Sequence, residues 1–292
     1  MSAPKAEAAA TLAGVIAAAR RRLRGGDLDD PALEARLIVE HFTGTDRADA
    51  VRTPERPVAP EMARTIDRAI ERRLAGEPVH RIFGYRDFYG LRLALSPWTL
   101  EPRPDTETLV DAILPFLREV VKREGRCRIL DLGTGTGAVG LALASQIPQS
   151  LVTATDISAE ALATAAGNAA AAGVSNRFST LHSDWFSAVC GKFHAIVSNP
   201  PYIRSEEIEG LQAEVRLHDP RMALDGGPDG LDAYRRIASG ATAHLEHDGQ
   251  VAVEIGDSQR QEVGRLFAQA GYQSISMHRD LAGSDRAIVF SR

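Results

Sequence analysis

Apolar residues in the first part of the chain recur at helical spacing. A stretch rich in Ala, Leu and Arg runs from Ala8 to Leu23 and stops at Gly25-Gly26, and Asp30-Pro31 supplies an N-cap and a first-turn proline for a second helix. A third helix is predicted from about Pro60 to Leu74, with an apolar residue at every fourth position. These apolar positions are Met62, Ile66, Ile70 and Leu74. Residues 1–80 therefore predict a small helical bundle.

Between Ile82 and Leu100 the pattern changes to alternation, with aromatic and branched residues on both sides of Gly90. This alternation predicts a β-hairpin with its turn at the glycine. Two prolines then stiffen the chain ahead of a helix expected from about Thr106 to Val121. We expect a helical domain over residues 1–80, a hairpin linker over 81–104 and a larger domain over 105–292.

Beyond Gly125 short apolar runs alternate with helical stretches, which predicts a doubly wound, Rossmann-like parallel sheet of the α/β class. Ser158 is a candidate N-cap for an alanine-rich helix that ends near Gly173. The last two strands are expected to form an antiparallel hairpin around Gly283-Ser284 that closes the sheet. The predicted strands are Cys127–Leu132, Leu151–Asp156, Phe178–Leu181, Ala195–Ser198, Val251–Ile255, Gln273–Met277 and Ala287–Phe290.

Composition narrows the class of protein. The net charge is −5 with a pI near 5.9, and residues 1–80 are neutral overall, which argues against a broad basic face for duplex DNA. Cys127 and Cys190 lie far apart, outside any Cys/His cluster, so we expect two buried free thiols and no metal site. Neither a signal peptide nor a run of transmembrane length is evident, so we expect a cytoplasmic protein.

A glycine-rich loop follows the first strand of the larger domain. Gly133-Thr134-Gly135-Thr136-Gly137 joins that strand to a helix, and such a loop brings backbone N–H groups close to a ligand. Gly135, Gly137 and Gly140 also match the dinucleotide pattern G-x-G-x-x-G. Asp131 favours another ligand, because a carboxylate repels a pyrophosphate but attracts an ammonium or sulfonium group. S-adenosylmethionine has both cations; the alternative is that Asp131 only caps the loop.

Two further acidic positions complete the predicted cofactor site. Asp156 ends the next strand, where a carboxylate accepts both ribose hydroxyls of a nucleoside. After the third strand, Asp184 is predicted to contact the adenine amino group, and Trp185 to offer its face to the ring. The alternative is a capping aspartate followed by core aromatic residues.

The candidate catalytic motif is Asn199-Pro200-Pro201-Tyr202, at the carboxyl end of the fourth strand. An amide nitrogen is a poor nucleophile because its lone pair is delocalised. The Asn199 side-chain oxygen and the Pro200 carbonyl are expected to accept its hydrogens and orient it for attack on a methyl group. Tyr202 is expected to pack on the substrate plane, and no dedicated general base is evident. The alternative is a simple proline turn.

With these motifs, the chain resembles the protein-(glutamine-N5) methyltransferases of peptide chain release factors, the PrmC/HemK family. The resemblance covers nearly the whole length, although Glu101 stands where an aliphatic residue is expected. The segments that carry it are Phe83-Gly84, Phe88, Pro102–Glu107, Asp131–Gly137, Asn199–Tyr202, Ala223–Gly227, Asp229-Gly230-Leu231 and Tyr234-Arg235.

The resemblance implies a methyltransferase that modifies the glutamine of the Gly-Gly-Gln loop in class I release factors, with S-adenosylmethionine as methyl donor. It implies that the helical domain grips the release factor. Gly133–Gly137, Asp156, Trp185 and Asn199 correspond to cofactor contacts, and Asn199–Tyr202 to the substrate site. Arg103 and Thr106 are candidates for additional contacts.

Three other functions fit parts of the pattern. A glutamine methyltransferase of a large-subunit ribosomal protein would use the same chemistry. A DNA adenine-N6 methyltransferase has a similar four-residue motif, but must extract a base and contact phosphates, and no stable nucleic-acid binding is expected here. A protein that binds S-adenosylmethionine without turnover is the third.

Overall fold

The computed structural model describes residues 10–26 and 28–292. The chain divides into two compact units, Met1–Phe83 and Gly84–Arg292. Ala8, the predicted start of the first helix, lies outside the described residues. Within the part described, no helix is both long enough and apolar enough to cross a membrane.

The first unit is a helical bundle, as the apolar pattern predicts. Asp30 accepts a hydrogen bond from the backbone N–H of Leu33 at 2.9 Å, which confirms it as the N-cap of the second helix. The core of the unit is formed by residues such as Leu12, Ile38 and Ile66. Its elements are β1 (Ala10–Thr11), α1 (Leu12–Leu23), α2 (Pro31–Thr43), α3 (Arg47–Arg52), β2 (Pro57–Val58), α4 (Pro60–Leu74) and α5 (Val79–Phe83).

The predicted buried face of α4 is wrong at its last position. Ile66 and Ile70 are each 1% exposed, but Leu74 is 42% exposed, and Arg73 is buried in its place. Steps of four residues rotate about 40° past a full turn of a 3.6-residue helix, so a stripe of such steps drifts off the buried face. The Arg73 guanidinium pairs with Glu34 of α2 at 2.6 Å, which compensates for its burial.

The second unit begins with the predicted hairpin and continues into the α/β domain. Its elements are β3 (Tyr85–Phe88), β4 (Leu91–Ala94), a 3₁₀ turn (Pro104–Thr106), α6 (Glu107–Glu124), β5 (Cys127–Leu132), α7 (Ala138–Gln146), β6 (Ser150–Asp156), α8 (Ala159–Ala171), β7 (Phe178–His182), β8 (Phe193–Ser198), a 3₁₀ turn (Ile208–Gly210), α9 (Ala213–His218), α10 (Arg221–Leu224), α11 (Asp232–His244), β9 (Leu245–Glu254), α12 (Arg260–Gln269), β10 (Gln273–Arg279) and β11 (Asp285–Ser291).

Seven strands form one sheet in the order β10-β11-β9-β8-β5-β6-β7. The pairs from β9 to β7 are parallel, and β11 is antiparallel to both β9 and β10. This confirms the doubly wound sheet and its closing hairpin. After β9 the chain forms the edge strand β10 first. β11 then inserts between β10 and β9.

Alternate residues of the central strand β5 serve two cores. Ile129 faces the cluster that includes α6 and α7, whereas Leu130 and Leu132 face the cluster that includes α11 and α12. Helices therefore cover both faces, and the polar ends of the strands remain for function.

Asn168 of α8 anchors the β3–β4 hairpin within the second unit. Its side chain accepts from the backbone N–H of Ala94 at 2.8 Å and donates to the carbonyl of Ala94 at 3.1 Å. It also donates to the carbonyl of Thr136 in the glycine loop at 2.9 Å. The segment expected to be a linker is thus tied to the loop, and the helical unit ends at Phe83.

Only one of the two cysteines is buried as expected. Cys127 begins β5 inside the core, and burial raises the pKa of its thiol to about 11. Cys190 is exposed, because it lies in the surface turn that precedes β8 rather than in a strand.

Candidate active site

A cavity of about 670 Å³ opens at the carboxyl ends of β5, β6 and β8. β5 pairs with β6 on one side and β8 on the other, so the strand order reverses here, which is where doubly wound sheets bind ligands. Most of the predicted site residues line this cavity: Thr106, Asp131, Gly133, Thr134, Gly135, Thr136, Asp156, Asp184, Trp185, Asn199 and Pro201. Arg103, Gly137, Pro200 and Tyr202 do not line it.

Asp131 holds the glycine loop in shape. Its Oδ2 accepts from the Thr134 hydroxyl at 2.6 Å and from the backbone N–H of Gly140 at 3.0 Å. Burial raises the pKa of this carboxyl to about 6, against the effect of those two donors. Within the protein, Asp131 therefore makes the contacts of a capping residue. It also lines the cavity, so its attraction of a cationic ligand stays a prediction.

Asp156 supports the same loop from the neighbouring strand. Oδ2 accepts from the backbone N–H of Gly135 at 2.9 Å, and Oδ1 accepts from that of Ser158 at 2.9 Å. A carboxylate has about four lone-pair directions. Acceptor capacity therefore remains for hydroxyl groups in the cavity.

The Asp184-Trp185 turn forms a wall of the cavity on the side of β6 and β7. Trp185 has a φ of 50°, a backbone conformation rarely adopted by residues other than glycine, and its carbonyl accepts from the Ser183 hydroxyl at 2.8 Å. The half-buried indole lines the cavity, whereas Phe186 stacks on His244 at 5.2 Å and belongs to the packing. Strained backbone of this kind is common at ligand sites.

The Asn199–Tyr202 motif is fixed by residues far away in the sequence. The Asn199 side-chain Nδ2 donates to the Thr106 hydroxyl at 3.1 Å, and the Tyr202 carbonyl accepts from Gln259 Nε2 at 2.9 Å. The Tyr202 ring packs against the core on the α11 side, and burial, with the charge of Glu254, raises the pKa of its phenol to about 12. Its expected packing on a substrate plane therefore remains a prediction.

The glycine-rich segment Ala223–Leu231 packs directly on this motif. The Ile203 N–H donates to the Leu224 carbonyl at 3.0 Å, and Gly226 N–H donates to the Ile203 carbonyl at 2.8 Å. A Cβ on Gly226 would meet Tyr202 Cα at 2.8 Å. Glycine is needed here because two backbones touch.

Within Pro102–Glu107, the two candidate residues differ in position. Thr106 is 3% exposed and lines the cavity beside Asn199. Arg103 instead pairs with Asp219 at 2.8 Å. The unexpected Glu101 is also paired, since its carboxylate lies 3.4 Å from Arg86 of β3.

Sequence reasoning missed several residues of the site. Trp98 is 56% exposed at the cavity wall, and Met222 is 64% exposed there. Gln259 and Glu254 lie buried behind the Asn199–Tyr202 motif. The sequence signal for Glu254 is that it is the single acidic residue of the otherwise apolar stretch Val251–Ile255, where β9 ends.

The cavity fits S-adenosylmethionine in size and in chemistry. About 300–1,000 Å³ is usual for small-molecule sites. Backbone donors of the loop, carboxylate acceptors at two strand ends and an aromatic wall match the polar and planar parts of that molecule.

Comparison with known proteins gives two family matches. The PrmC N-terminal domain matches residues 15–84, and the Methyltransferase small domain matches residues 107–227. A solved methyltransferase from Pyrococcus furiosus shares the fold, with a TM-score of 0.52 and 19% identity over 76% of this chain and 96% of its own.

Relatives match over almost the whole chain. Release factor glutamine methyltransferase of Agrobacterium fabrum is 50% identical, covering 97% of this chain and 98% of its own. The enzyme of the same name from Caulobacter vibrioides is 40% identical, with 96% coverage of both chains. This chain therefore belongs to the release factor glutamine methyltransferase family.

Proposed function

We propose that this protein transfers a methyl group from S-adenosylmethionine to the side-chain amide nitrogen (N5) of the Gly-Gly-Gln glutamine in class I release factors, in the cytoplasm. The relationship at 50% identity over nearly the full length carries this assignment. It also favours release factors over a ribosomal protein or a DNA adenine, the other substrates compatible with the motif.

In this proposal the glycine loop, Asp131, Asp156, Asp184 and Trp185 bind the methyl donor. The donor supplies an electrophilic methyl group on a sulfonium. The nitrogen–carbon bond forms as the sulfur–carbon bond breaks, and the nitrogen releases one proton to solvent. The protein's contribution is orientation and charge stabilisation rather than proton abstraction.

Asn199 is the residue proposed to orient the amide nitrogen. Its Nδ2 is engaged by Thr106. The remaining atom, Oδ1, is an acceptor and suits an amide N–H of the substrate. An oxygen held there opposes the delocalisation of the nitrogen lone pair as positive charge develops on the nitrogen. The Pro200 carbonyl is proposed as the second acceptor.

The test is methylation of a purified class I release factor by the protein and by Asn199→Ala, with the modified residue located by peptide mass spectrometry. We expect the glutamine to gain one methyl group, at a rate about 10²–10³-fold lower with Asn199→Ala, as when one oriented transition-state partner is lost. Asn176→Ala, in an exposed turn, is the matched control.

The outcomes separate the parts of the proposal. Methylation of a ribosomal-protein glutamine or of DNA adenine, with none on the release factor, would overturn the substrate. Undiminished turnover by Asn199→Ala would overturn the acceptor role. Binding of S-adenosylmethionine without turnover on any of these substrates would overturn the assignment as an enzyme.

A further inference from the structure

Two large apolar side chains are exposed at the wall of the cavity. Trp98 is 56% exposed on the segment that joins β4 to the 3₁₀ turn, and Met222 is 64% exposed on α10. Single exposed apolar residues are common on any protein. Two of them at the wall of one cavity indicate a surface that another molecule covers.

The segments that carry these two side chains are both bonded to the Asn199–Tyr202 motif. The first segment continues to Thr106, whose hydroxyl accepts from Asn199 Nδ2 at 3.1 Å. The second continues to Leu224, whose carbonyl accepts at 3.0 Å from the first backbone N–H beyond the motif. Trp98 and Met222 therefore belong to the side of the cavity where the methyl acceptor is proposed to bind.

The length of a glutamine side chain determines how far the backbone of the substrate must enter. About 5 Å separate the Cα of an extended glutamine from its amide nitrogen, and a hydrogen bond adds about 3 Å. The substrate Cα thus lies within about 8 Å of Asn199 Oδ1 when the amide is bound there. The neighbouring Cα atoms of the substrate are only about 3.8 Å further along. The residues on both sides of the glutamine must therefore contact the walls of the cavity.

A buried aspartate joins the two segments. Asp219 lies between α9 and α10, and its side chain is 4% exposed. Its Oδ2 accepts from Arg103 Nη2 at 2.8 Å, and its Oδ1 accepts from the backbone N–H of Glu101 at 3.3 Å. Along the chain, Glu101 is three residues from Trp98, and Asp219 is three residues from Met222. The carboxylate therefore fixes the two walls relative to each other close to both apolar side chains.

We propose that Trp98 and Met222 contact the release-factor loop that carries the glutamine, and that Asp219 and Arg103 position them by holding their two segments together. This inference rests on the proposed function. The indole and the thioether offer apolar contacts to a protein loop, and Asp219 neutralises the charge of Arg103. Arg103 does not line the cavity, so it acts on the substrate only through this pair.

The first test removes the contacts. They are the same before and during methyl transfer, so their loss raises KM and leaves kcat nearly unchanged. Trp98→Ala should raise KM for the release factor about 10–30-fold, as truncation of an aromatic contact residue does, and Met222→Ala about 3–10-fold. The dissociation constant for S-adenosylmethionine should stay near that of the unmutated protein. Leu281→Ala, at a fully exposed apolar residue between β10 and β11, is the matched control.

The second test breaks the ion pair. Asp219→Asn keeps an acceptor for the Glu101 N–H but loses the charge that binds Arg103, and it should raise KM about 3–10-fold. The Tm should change little, because the Arg103 side chain is 42% exposed and becomes hydrated. Adding Arg103→Gln should cause no further loss, since both changes break one pair. Arg103→Lys keeps the charge and should retain most of the affinity. Asp87→Asn, which breaks an exposed pair with Arg92, is the control.

Fluorine NMR of the protein labelled with 5-fluorotryptophan reports binding without turnover. Trp98 and Trp185 are the two tryptophans of the chain, and Trp98→Phe assigns their resonances. S-adenosylhomocysteine alone should shift the Trp185 resonance. Addition of a class I release factor should then shift the Trp98 resonance.

The failure of the proposed function and the failure of this inference give different results. An unmutated protein that leaves release factors unmethylated defeats the proposed function. If it methylates them, a Trp98 resonance that saturating release factor does not move overturns the inference. A KM for Trp98→Ala at the value of the Leu281→Ala control also overturns it. So does a matching loss of S-adenosylmethionine affinity, which would assign Trp98 to the donor site.

The positioning role has its own outcomes. A KM for Asp219→Asn at the value of the Asp87→Asn control overturns this role. A parallel fall of Tm, kcat and S-adenosylmethionine affinity also overturns it, since that pattern marks a purely structural pair. If Asp219→Asn does not fold, Arg103→Gln and Arg103→Lys decide alone, and equal KM values for these two variants contradict the proposal.

Discussion

The glycine loop Gly133–Gly137 and the Asn199–Tyr202 motif end neighbouring strands of one sheet, but they are supported in different ways. Asp131 binds the loop through Thr134 and Gly140, residues close to it in the sequence. The motif depends on Thr106 and Gln259, from distant parts of the chain. The glycine loop also bonds to Asp156 and Asn168, at sequence separations of 21 and 32, whereas the two bonds of the motif span 93 and 57 positions. The motif therefore depends on longer-range assembly than the loop does.

Each of these loops also has a buried acid beneath it, with its pKa raised. The Asp131 carboxyl accepts from a hydroxyl and a backbone N–H, which partly offset its burial. Glu254 retains an oxygen with no partner among the described residues. Asp131 therefore mainly shapes its loop, while Glu254 is less well satisfied by hydrogen bonds than a purely structural group would be.

The largest expected effect tests the backbone shape of the glycine loop. Gly137 has a φ of 85°, and a Cβ there would meet Leu141 Cδ1 at 2.8 Å. Gly137→Ala should destabilise the protein by about 2–5 kcal/mol, from the left-handed backbone and the overpacked core. S-adenosylmethionine binding should weaken more than tenfold, by about 1.4 kcal/mol or more. Thermal unfolding and calorimetric titration measure the two effects.

The matched control is Gly167→Ala, in the helix α8, where a new Cβ meets nothing within 4 Å. It should raise stability by about 0.5–1 kcal/mol, the ordinary preference of a helix for alanine over glycine. Equal effects of the two alanine substitutions would contradict a loop whose shape requires Gly137.

A smaller effect tests the distant support of the Asn199–Tyr202 motif. Gln259 is 7% exposed, donates to the carbonyls of Tyr202 and Gly230, and accepts from the Gly256 N–H at 3.0 Å. Gln259→Ala should lower stability by about 1–3 kcal/mol, because buried polar groups lose their partners. It should lower kcat about tenfold, as loss of a supporting residue does.

In this variant, the affinity for S-adenosylmethionine distinguishes an effect on the Asn199–Tyr202 motif from an effect on the glycine loop. Gln259 contacts the motif and not the glycine loop. Gln259→Ala should therefore leave the dissociation constant for S-adenosylmethionine within about threefold of that of the unmutated protein, a change in binding free energy of less than about 0.7 kcal/mol. Gln261→Ala, exposed in the first turn of α12 directly after Gln259, is the control. A kcat that stays at the control's value would show that the motif does not need this support.

The smallest effect concerns Asp131 and has opposite signs for stability and binding. The pKa is raised from 3.8 to about 6, so the folded state binds this proton more tightly than the unfolded state. Stability therefore falls as pH rises from about 4 to 6 and stays lower above that range. Asp131→Asn removes this loss. It should raise the stability of the ligand-free protein at pH 8 by about 1–2 kcal/mol, after allowance for weaker hydrogen bonds to the loop.

The same substitution should weaken S-adenosylmethionine binding about tenfold if the carboxylate attracts the cationic ligand. Denaturant unfolding at pH 4 and pH 8, with binding at pH 8, measures both effects, and Asp248→Asn at an exposed position is the control. A variant that is less stable than the unmutated protein at pH 8 would show that Asp131 stabilises the fold as an anion.

Several elements follow from the sequence because their signals are short-range. β5 is Cys127–Leu132, as its apolar run predicts, and Ser158 caps α8 through the N–H of Ala161 at 3.0 Å. The short helices α3 and α5 were not predicted, since six and five residues give too little periodicity. The burial of single residues is harder to predict than the elements, as Arg73 and Leu74 show. A four-residue repeat of apolar positions does not indicate which residues of α4 contact the neighbouring helices.

The order of the elements, the glycine loop after β5 and the four-residue motif after β8 can all be predicted from the sequence, because backbone propensity and local chemistry depend on a few neighbouring residues. The place of β11 between β9 and β10 and the contact of Thr106 with Asn199 are seen only in the folded structure. The same is true of Gln259 and Glu254, which lie behind the motif. Such contacts join residues that no local pattern relates, and they form only when the sheet and both its cores are complete.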